Sequence, residues 1–212
     1  MDIIWDPQII ETQSMAIIEP YLQGYSFNAP EKAVVKRVVH TTGDPSIIEH
    51  IFFHPAACKI GIEALRKATA VFTDVNMLLT GINPTKLAAY GATVSCGIAE
   101  PEVVKAASKW QITRAAAAMR LWGSRLNDAI VAIGNAPTAL FELLALIDKG
   151  VARPALIIGT PVGFVGAAES KEMMIKENLV PYMTIRGTRG GSTIAAAMVN
   201  ALLYYEGDTE DE

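Results

Sequence analysis

Histidine occurs three times in this chain, and the three settings differ. His40 falls in the last turn of a helix that the sequence predicts from about Asn28. Pro30 and Glu31 occupy its first turn, Val34, Val35, Val38 and Val39 give its apolar face, and Gly43 and Pro45 end it. The negative end of a helix dipole favours a protonated imidazole. The polar turn Thr41-Thr42-Gly43-Asp44 can orient the ring. The chemistry open to such a group is proton donation near neutral pH, although a helix-end histidine taken alone is more often structural or merely exposed. His50, His54 and Cys58 repeat every four residues, a ligand spacing on one helix face. Pro55 interrupts any such helix, however, and Ile51-Phe52-Phe53 reads as a strand or a core plug. No HExxH is present and no metal site is expected. Cys58 and Cys96, neither in a CxxC pair, read as free thiols.

Other side chains carry weaker signals. Ser14 lies in the first helix without a Gly-x-Ser-x-Gly elbow, so it is a poor nucleophile and reads first as a packing serine. Asp74 and Asn76 follow a short strand and could cap the next helix. Arg114 opens the alanine-rich stretch 115–118, where a surface charge or cap is the plain reading. Three glycine-rich turns follow apolar runs: Gly134-Asn135-Ala136-Pro137-Thr138, Thr160-Pro161-Val162-Gly163-Phe164 and Gly187-Thr188-Arg189-Gly190-Gly191-Ser192. Each could offer backbone N–H groups to an anion at a helix start. None is a GxGxxG or a GxxxxGK[ST], so the nucleotide fingerprints are absent. Read alone, each is more often an ordinary tight turn; three in series raise the odds of one shared ligand site.

The elements that position these groups are legible in outline. Residues 70–73, 92–95, 129–133, 155–159 and 182–186 are short apolar or β-branched runs separated by helical stretches. Near-continuous apolar strands alternating with helices predict an α/β fold with a mostly parallel sheet covered on both faces. The glycine turns then lie at the carboxyl ends of the strands, where ligands bind. The first third is helical: Pro7 to about Gln23 carries Ile9, Ile10, Ile17 and Ile18, with Gly24 as a stop. The last helix, 193–205, has almost no polar residue beyond Asn200, so it is buried in the domain or in a subunit contact. Together with 115–118 it offers more apolar surface than a small domain easily hides, and a homodimer is expected.

Composition narrows the class. With 212 residues, 51% apolar and 19% charged, one large domain with a substantial core is expected. No uninterrupted apolar run is long enough for a membrane helix. The start, MDIIWDPQII, lacks the basic beginning of a secretory signal, which leads to the expectation of a cytoplasmic protein. Five carboxylates crowd residues 206–212; without them the net charge of −4 becomes +1. The body therefore has no basic face for nucleic acid. The domain is expected to span 1–205, and the acidic tail 206–212 to be disordered.

Taken in order, several segments resemble the successive blocks of the precorrin-8X methylmutase family. They are His40-Thr41-Thr42-Gly43-Asp44; Thr73-Asp74-Val75-Asn76-Met77 with Gly81-Ile82; Ile133 through Leu140 (IGNAPTAL); Gly159-Thr160-Pro161-Val162-Gly163-Phe164-Val165 with Ala168-Glu169-Ser170-Lys171; and Arg186 through Ser192 with Asn200-Ala201-Leu202. The resemblance spans about residues 3 to 205. It implies a three-layer α/β/α fold, flavodoxin-like in broad plan, and a homodimer. It implies an isomerase of cobalamin (vitamin B12) biosynthesis that converts precorrin-8X or cobalt-precorrin-8 to hydrogenobyrinate or cobyrinate. The reaction is a 1,5-sigmatropic methyl shift from C-11 to C-12 and needs no cofactor. The family's catalytic histidine carries over to His40. Ser14, Asp74, Arg114 and Asn135 carry over as substrate-binding residues, and Thr138, Lys171 and Arg189 join them as polar groups of the matching blocks.

Elementary chemistry is compatible with this. A sigmatropic shift needs no nucleophile; it needs the macrocycle held in one tautomer and its shifting charge stabilised, which one proton donor can do. The acetate and propionate arms of a corrinoid want Arg, Lys and N–H groups spread around a cavity, and Arg114, Lys171, Arg186 and Arg189 are so dispersed. Two other classes stay open on the residues alone: a non-catalytic corrinoid carrier, and a flavin- or nucleotide-binding oxidoreductase.

Overall fold

The computed structural model describes residues 3–207. The helix that carries His40 is fixed at both ends. In α2 (Ala29–Thr42), Asn28 accepts the Glu31 N–H at 3.0 Å while the Glu31 carboxylate accepts the Asn28 N–H at 3.0 Å. This reciprocal box satisfies two donors that a helix start leaves free. At the other end Gly43 takes a left-handed φ of 64° and returns its N–H to Val39 O at 2.8 Å, a stop that glycine adopts without steric penalty. Before it, α1 (Pro7–Ile18) does not run on to Gln23. A 3₁₀ turn, Glu19–Leu22, follows it, because Pro20 has no N–H with which to continue the α-helical ladder.

Six strands form one sheet: β1 (Ile51–Phe53), β2 (Val71–Thr73), β3 (Val94–Cys96), β4 (Ile130–Ile133), β5 (Leu156–Gly159) and β6 (Tyr182–Ile185). Their order is β1-β6-β5-β4-β2-β3, and only the β1–β6 pairing is antiparallel. The parallel part starts at β2, adds β3 on one side, then returns to add β4, β5 and β6 on the other. The direction of growth thus reverses between β2 and β4, the flavodoxin-like order, which opens a crevice at that switch point.

Alternate strand residues feed two cores. Ile130 and Ala132 face one, Val131 and Ile133 the other, as the period of a strand requires. The first core lies under α2, α3 (Ala57–Arg66), α4 (Asn76–Gly81), α5 (Pro84–Ala89) and α10 (Ser192–Tyr204). The second lies under α6 (Pro101–Trp110), α7 (Arg114–Trp122), α8 (Pro137–Asp148) and α9 (Ala167–Glu177). This is the expected three-layer α/β/α arrangement.

One sequence argument is corrected here. Helix α10 packs chiefly on α2 and α4 and is buried inside the chain, and residues 115–118 are buried as well. Neither stretch supplies spare apolar surface, because the layers of one chain already cover both. Apart from Tyr204 at the end of α10, the exposed large apolar side chains are elsewhere, foremost Phe164 (92% exposed), Val165 (89%) and Trp5 (82%). At the other terminus, Glu206 pairs with Lys86 at 3.0 Å, while 208–212 of the acidic tail lie outside the described residues. Among the described residues, no helix is long and apolar enough to cross a membrane.

Candidate functional site

The three glycine turns meet backbone to backbone at the carboxyl end of the sheet. Thr160 N–H donates to Ile133 O at 2.8 Å, Gly191 N–H to Thr160 O at 2.8 Å, and Gly163 N–H to Thr188 O at 3.1 Å. A Cβ on Gly190 would stand 2.3 Å from Thr160 O, and one on Gly134 would stand 2.6 Å from Ser192 Cα. Only glycine permits these approaches.

Asp74 lies beneath the first turn, at the switch point. Its buried carboxylate accepts the N–H of Gly134 at 3.1 Å on one oxygen, and those of Asn135 at 2.8 Å and Ala136 at 2.7 Å on the other. Burial pushes this carboxyl above its ordinary range, and the three N–H groups pull in the opposite direction. The donors that a doubly wound sheet can turn toward a ligand phosphate are here spent on the chain's own carboxylate. Asn135 and Thr138 remain exposed above it. The Thr138 hydroxyl lies 2.7 Å from that of Thr113, which caps α7 directly before the exposed Arg114. Thr113, Thr138, Phe141 and Glu142 line a cavity of about 570 Å³ between α7 and α8.

His40 stands exposed on the last turn of α2 and lines a second cavity, of about 330 Å³, with Ser14, Ile17, Ile18 and Tyr21. The Ser14 hydroxyl donates to Ile10 O at 2.8 Å, an i−4 bond within α1 that leaves its oxygen free to accept. The turn after His40 is braced. Thr42 donates to Val38 O at 3.0 Å and accepts the Asp44 N–H at 3.3 Å. Asp44 accepts the Ser46 N–H at 2.9 Å and the Arg189 guanidinium at 3.2 Å, and Arg189 also donates to the Ser46 hydroxyl at 3.0 Å. The Ser46 hydroxyl and N–H, with Arg189 beside them, hold the Asp44 carboxyl below its ordinary range. Behind the loop, Lys171 is fully buried and donates to Arg189 O at 2.6 Å. Burial pushes its ammonium down to about 8.

The expected residues therefore fall into two exposed groups and a buried pair. His40 and Ser14 share one cavity, with Arg189 anchored beside it through Asp44. Arg114, Asn135 and Thr138 lie around the α8 start. Asp74 and Lys171 sit behind these surfaces and hold loops. Sequence reasoning missed Ile17 and Tyr21 as cavity walls, although 14, 17 and 18 share one face of α1 and Tyr21 follows three residues on, in the 3₁₀ turn. It also missed Ser46 and Thr113, whose partners are distant in the chain. His50 and His54 instead serve the sheet edge. His50 O accepts the Arg186 N–H at 2.8 Å, and His54 Nδ1 accepts the Ala56 N–H at 3.1 Å. The thiol of Cys58 is buried and pushed up to about 12, chiefly by desolvation with Glu31 adding to it.

Comparison with known proteins gives a consistent result. A family model described as precorrin-8X methylmutase matches residues 9–205. The chain is 43% identical over 205 residues to the precorrin-8X methylmutase of Pseudomonas aeruginosa, covering 95% of this chain and 97% of that one. It is 41% identical over 201 residues to the cobalt-precorrin-8 methylmutase of Leptospira interrogans, covering 92% and 91%. The solved structure of a precorrin-8X methylmutase from Thermus thermophilus superposes with a TM-score of 0.84 at 35% identity, covering 92% of this chain and 95% of that one.

Proposed function

The chain belongs to the precorrin-8X methylmutase family, and from that premise we propose that His40 is the group that drives its reaction. The enzyme is an isomerase that converts precorrin-8X or cobalt-precorrin-8 by shifting a methyl group on the corrinoid ring. The observation that supports His40 is its cavity: an exposed imidazole on a capped helix end, walled by Ser14, Ile17 and Tyr21, with the adjoining turn braced by Arg189.

In this reading the methyl migrates from C-11 to C-12 in a 1,5-sigmatropic shift. His40 donates a proton or a strong hydrogen bond to the macrocycle beside the migrating methyl. It thereby stabilises charge that develops as conjugation rearranges. Ile17 and Tyr21 offer apolar and aromatic surface to the flat ring. Arg114 and Arg189, both exposed, take carboxylate arms as charge-assisted pairs, and Asn135 and Thr138 add neutral hydrogen bonds. No cofactor takes part. We further propose a homodimer; Phe164, Val165 and Trp5 are the apolar side chains it would cover.

The test is a single-turnover reaction with precorrin-8X and with its cobalt form, followed by visible spectrum, for the parent and His40→Ala. Loss of conversion with retained pigment binding is the expected result. Conversion by His40→Ala at near the parent rate overturns the assignment.

A further inference from the structure

We infer that Lys171 is a positioning residue for the methyl shift, fastening the 187–191 loop from inside the fold so that Arg189 can hold the turn that follows His40. The inference rests on the reading of the His40 cavity as the reacting site.

The argument begins with the loop itself. Three of its five residues are glycines, and Gly187 and Gly191 take φ of 77° and 127°. Such a segment has wide conformational freedom when unfastened. Its flanks are tied: Thr188 O accepts the Gly163 N–H at 3.1 Å, and Gly191 N–H donates to Thr160 O at 2.8 Å. Between these ties stands Arg189, whose carbonyl receives the Lys171 ammonium at 2.6 Å. The same residue's guanidinium reaches out to Asp44 at 3.2 Å and to Ser46 at 3.0 Å. Asp44 in turn donates its N–H to the Thr42 hydroxyl at 3.3 Å, and Thr42 is bound to the last turn of the His40 helix at Val38 O. An unbroken line of contacts therefore runs from the buried ammonium to the helix end that presents His40.

Two facts separate this role from direct substrate binding and from simple packing. The Lys171 side chain has no exposed surface, so it cannot meet a substrate carboxylate as the loop stands. A buried ammonium is also costly, and an apolar side chain of similar volume is often neutral or stabilising in its place. A charge kept at such a position serves the geometry it enforces. The charged groups around it are Glu172 on its own helix, Arg186 (paired with Glu172 at 3.1 Å) and Arg189 on the loop side, and Asp44 with nearby His50 beyond Arg189. When the ammonium loses its proton, the bond to Arg189 O weakens from a charge-assisted to a neutral one, about half as strong. Since that happens as pH rises through about 8, turnover should fall there.

The experiment measures single-turnover rate, pigment affinity and melting temperature for the parent, Lys171→Met, Lys171→Gln, Arg189→Met and the Lys171→Met/Arg189→Met double variant, from pH 7 to 9.5. Lys171→Met should lose roughly 10- to 100-fold in rate, the scale of a small misplacement of a reacting group. Its melting temperature should be unchanged or raised. Lys171→Gln keeps a neutral donor; it should react at an intermediate rate and lose the alkaline fall seen in the parent. In the Arg189→Met background, Lys171→Met should add little. Parent-like rates in both Lys171 variants, fully multiplicative effects in the double variant, or a rate loss matched by a loss of melting temperature each overturn the inference. The premise fails separately, through an active His40→Ala.

Discussion

The carboxylate of Asp74 holds the backbone of Asn135, accepting its N–H at 2.8 Å from beneath the turn that crosses the switch point. The neighbouring N–H groups of Gly134 and Ala136 point to the same carboxylate. Asp74→Asn keeps the shape but sets an amide NH2 against N–H donors. It should lower stability by at least about 2 kcal/mol, the scale of leaving buried donors unpaired, and thermal unfolding checks it. The pH sign follows from burial, which raises the folded carboxyl above its unfolded value. The group's contribution is then fully present below the unfolded value and is lost as pH rises through the folded one. Asp74→Asn should remove that slope, and an unchanged acid-side profile would count against the burial argument.

His40→Ala should lose about 10²- to 10⁴-fold in single-turnover rate, the usual contribution of a positioned proton donor. His50→Ala and His54→Ala should keep the parent rate if they fold, since neither ring lines the His40 cavity. Three stopped-flow spectra decide this.

The product keeps the carboxylate arms of the substrate and an extended chromophore. It should stay bound tightly enough to colour the protein, and pigment and protein should elute together in gel filtration. Complete separation at micromolar concentration would contradict the reading of the cavity.

Light scattering should give a dimer mass at working concentration. Phe164→Asp and Val165→Asp together should shift it toward monomer, because a charge on a covered apolar contact is strongly unfavourable. A monomer mass for the parent would remove the dimer, and an unchanged mass for the variant would move its contact elsewhere.

How much of this was legible depended on range. The α2 helix could be read nearly to the residue, because Asn28, Pro30, Glu31 and Gly43 act on their own neighbours. The parallel sheet was legible because β4, β5 and β6 are buried on both faces and therefore apolar or β-branched almost throughout, Thr184 being the polar exception. Strand β3 was placed two residues early at its start, since Ala92 and Thr93 continue the run, Thr93 giving only its carbonyl to the Val71 N–H before the paired residues begin. The switch-point order was not legible from spacing, because crossover lengths do not say on which side a strand is added. Asp74 and Lys171 stood in the matching blocks, but their buried roles depend on partners 61 and 18 residues away. The apolar helix α10 misled the dimer argument because hydrophobicity records burial without recording what does the burying.

The contact of Gly134 with Ser192, and of Gly190 with Thr160, has a consequence for motion. The start of α10 and the three glycine turns are a single unit, so the turns cannot open without disturbing the core of the first layer. Amide protons of Thr160 and Gly191 should then exchange with solvent only about as fast as the whole domain unfolds. The His40 cavity is walled differently, by α1, the 3₁₀ turn after it and the end of α2, with Ile17 and Tyr21 exposed. The rigid turns and the helical wall thus belong to different parts of the chain, and faster exchange confined to α1 would mark the side from which pigment enters.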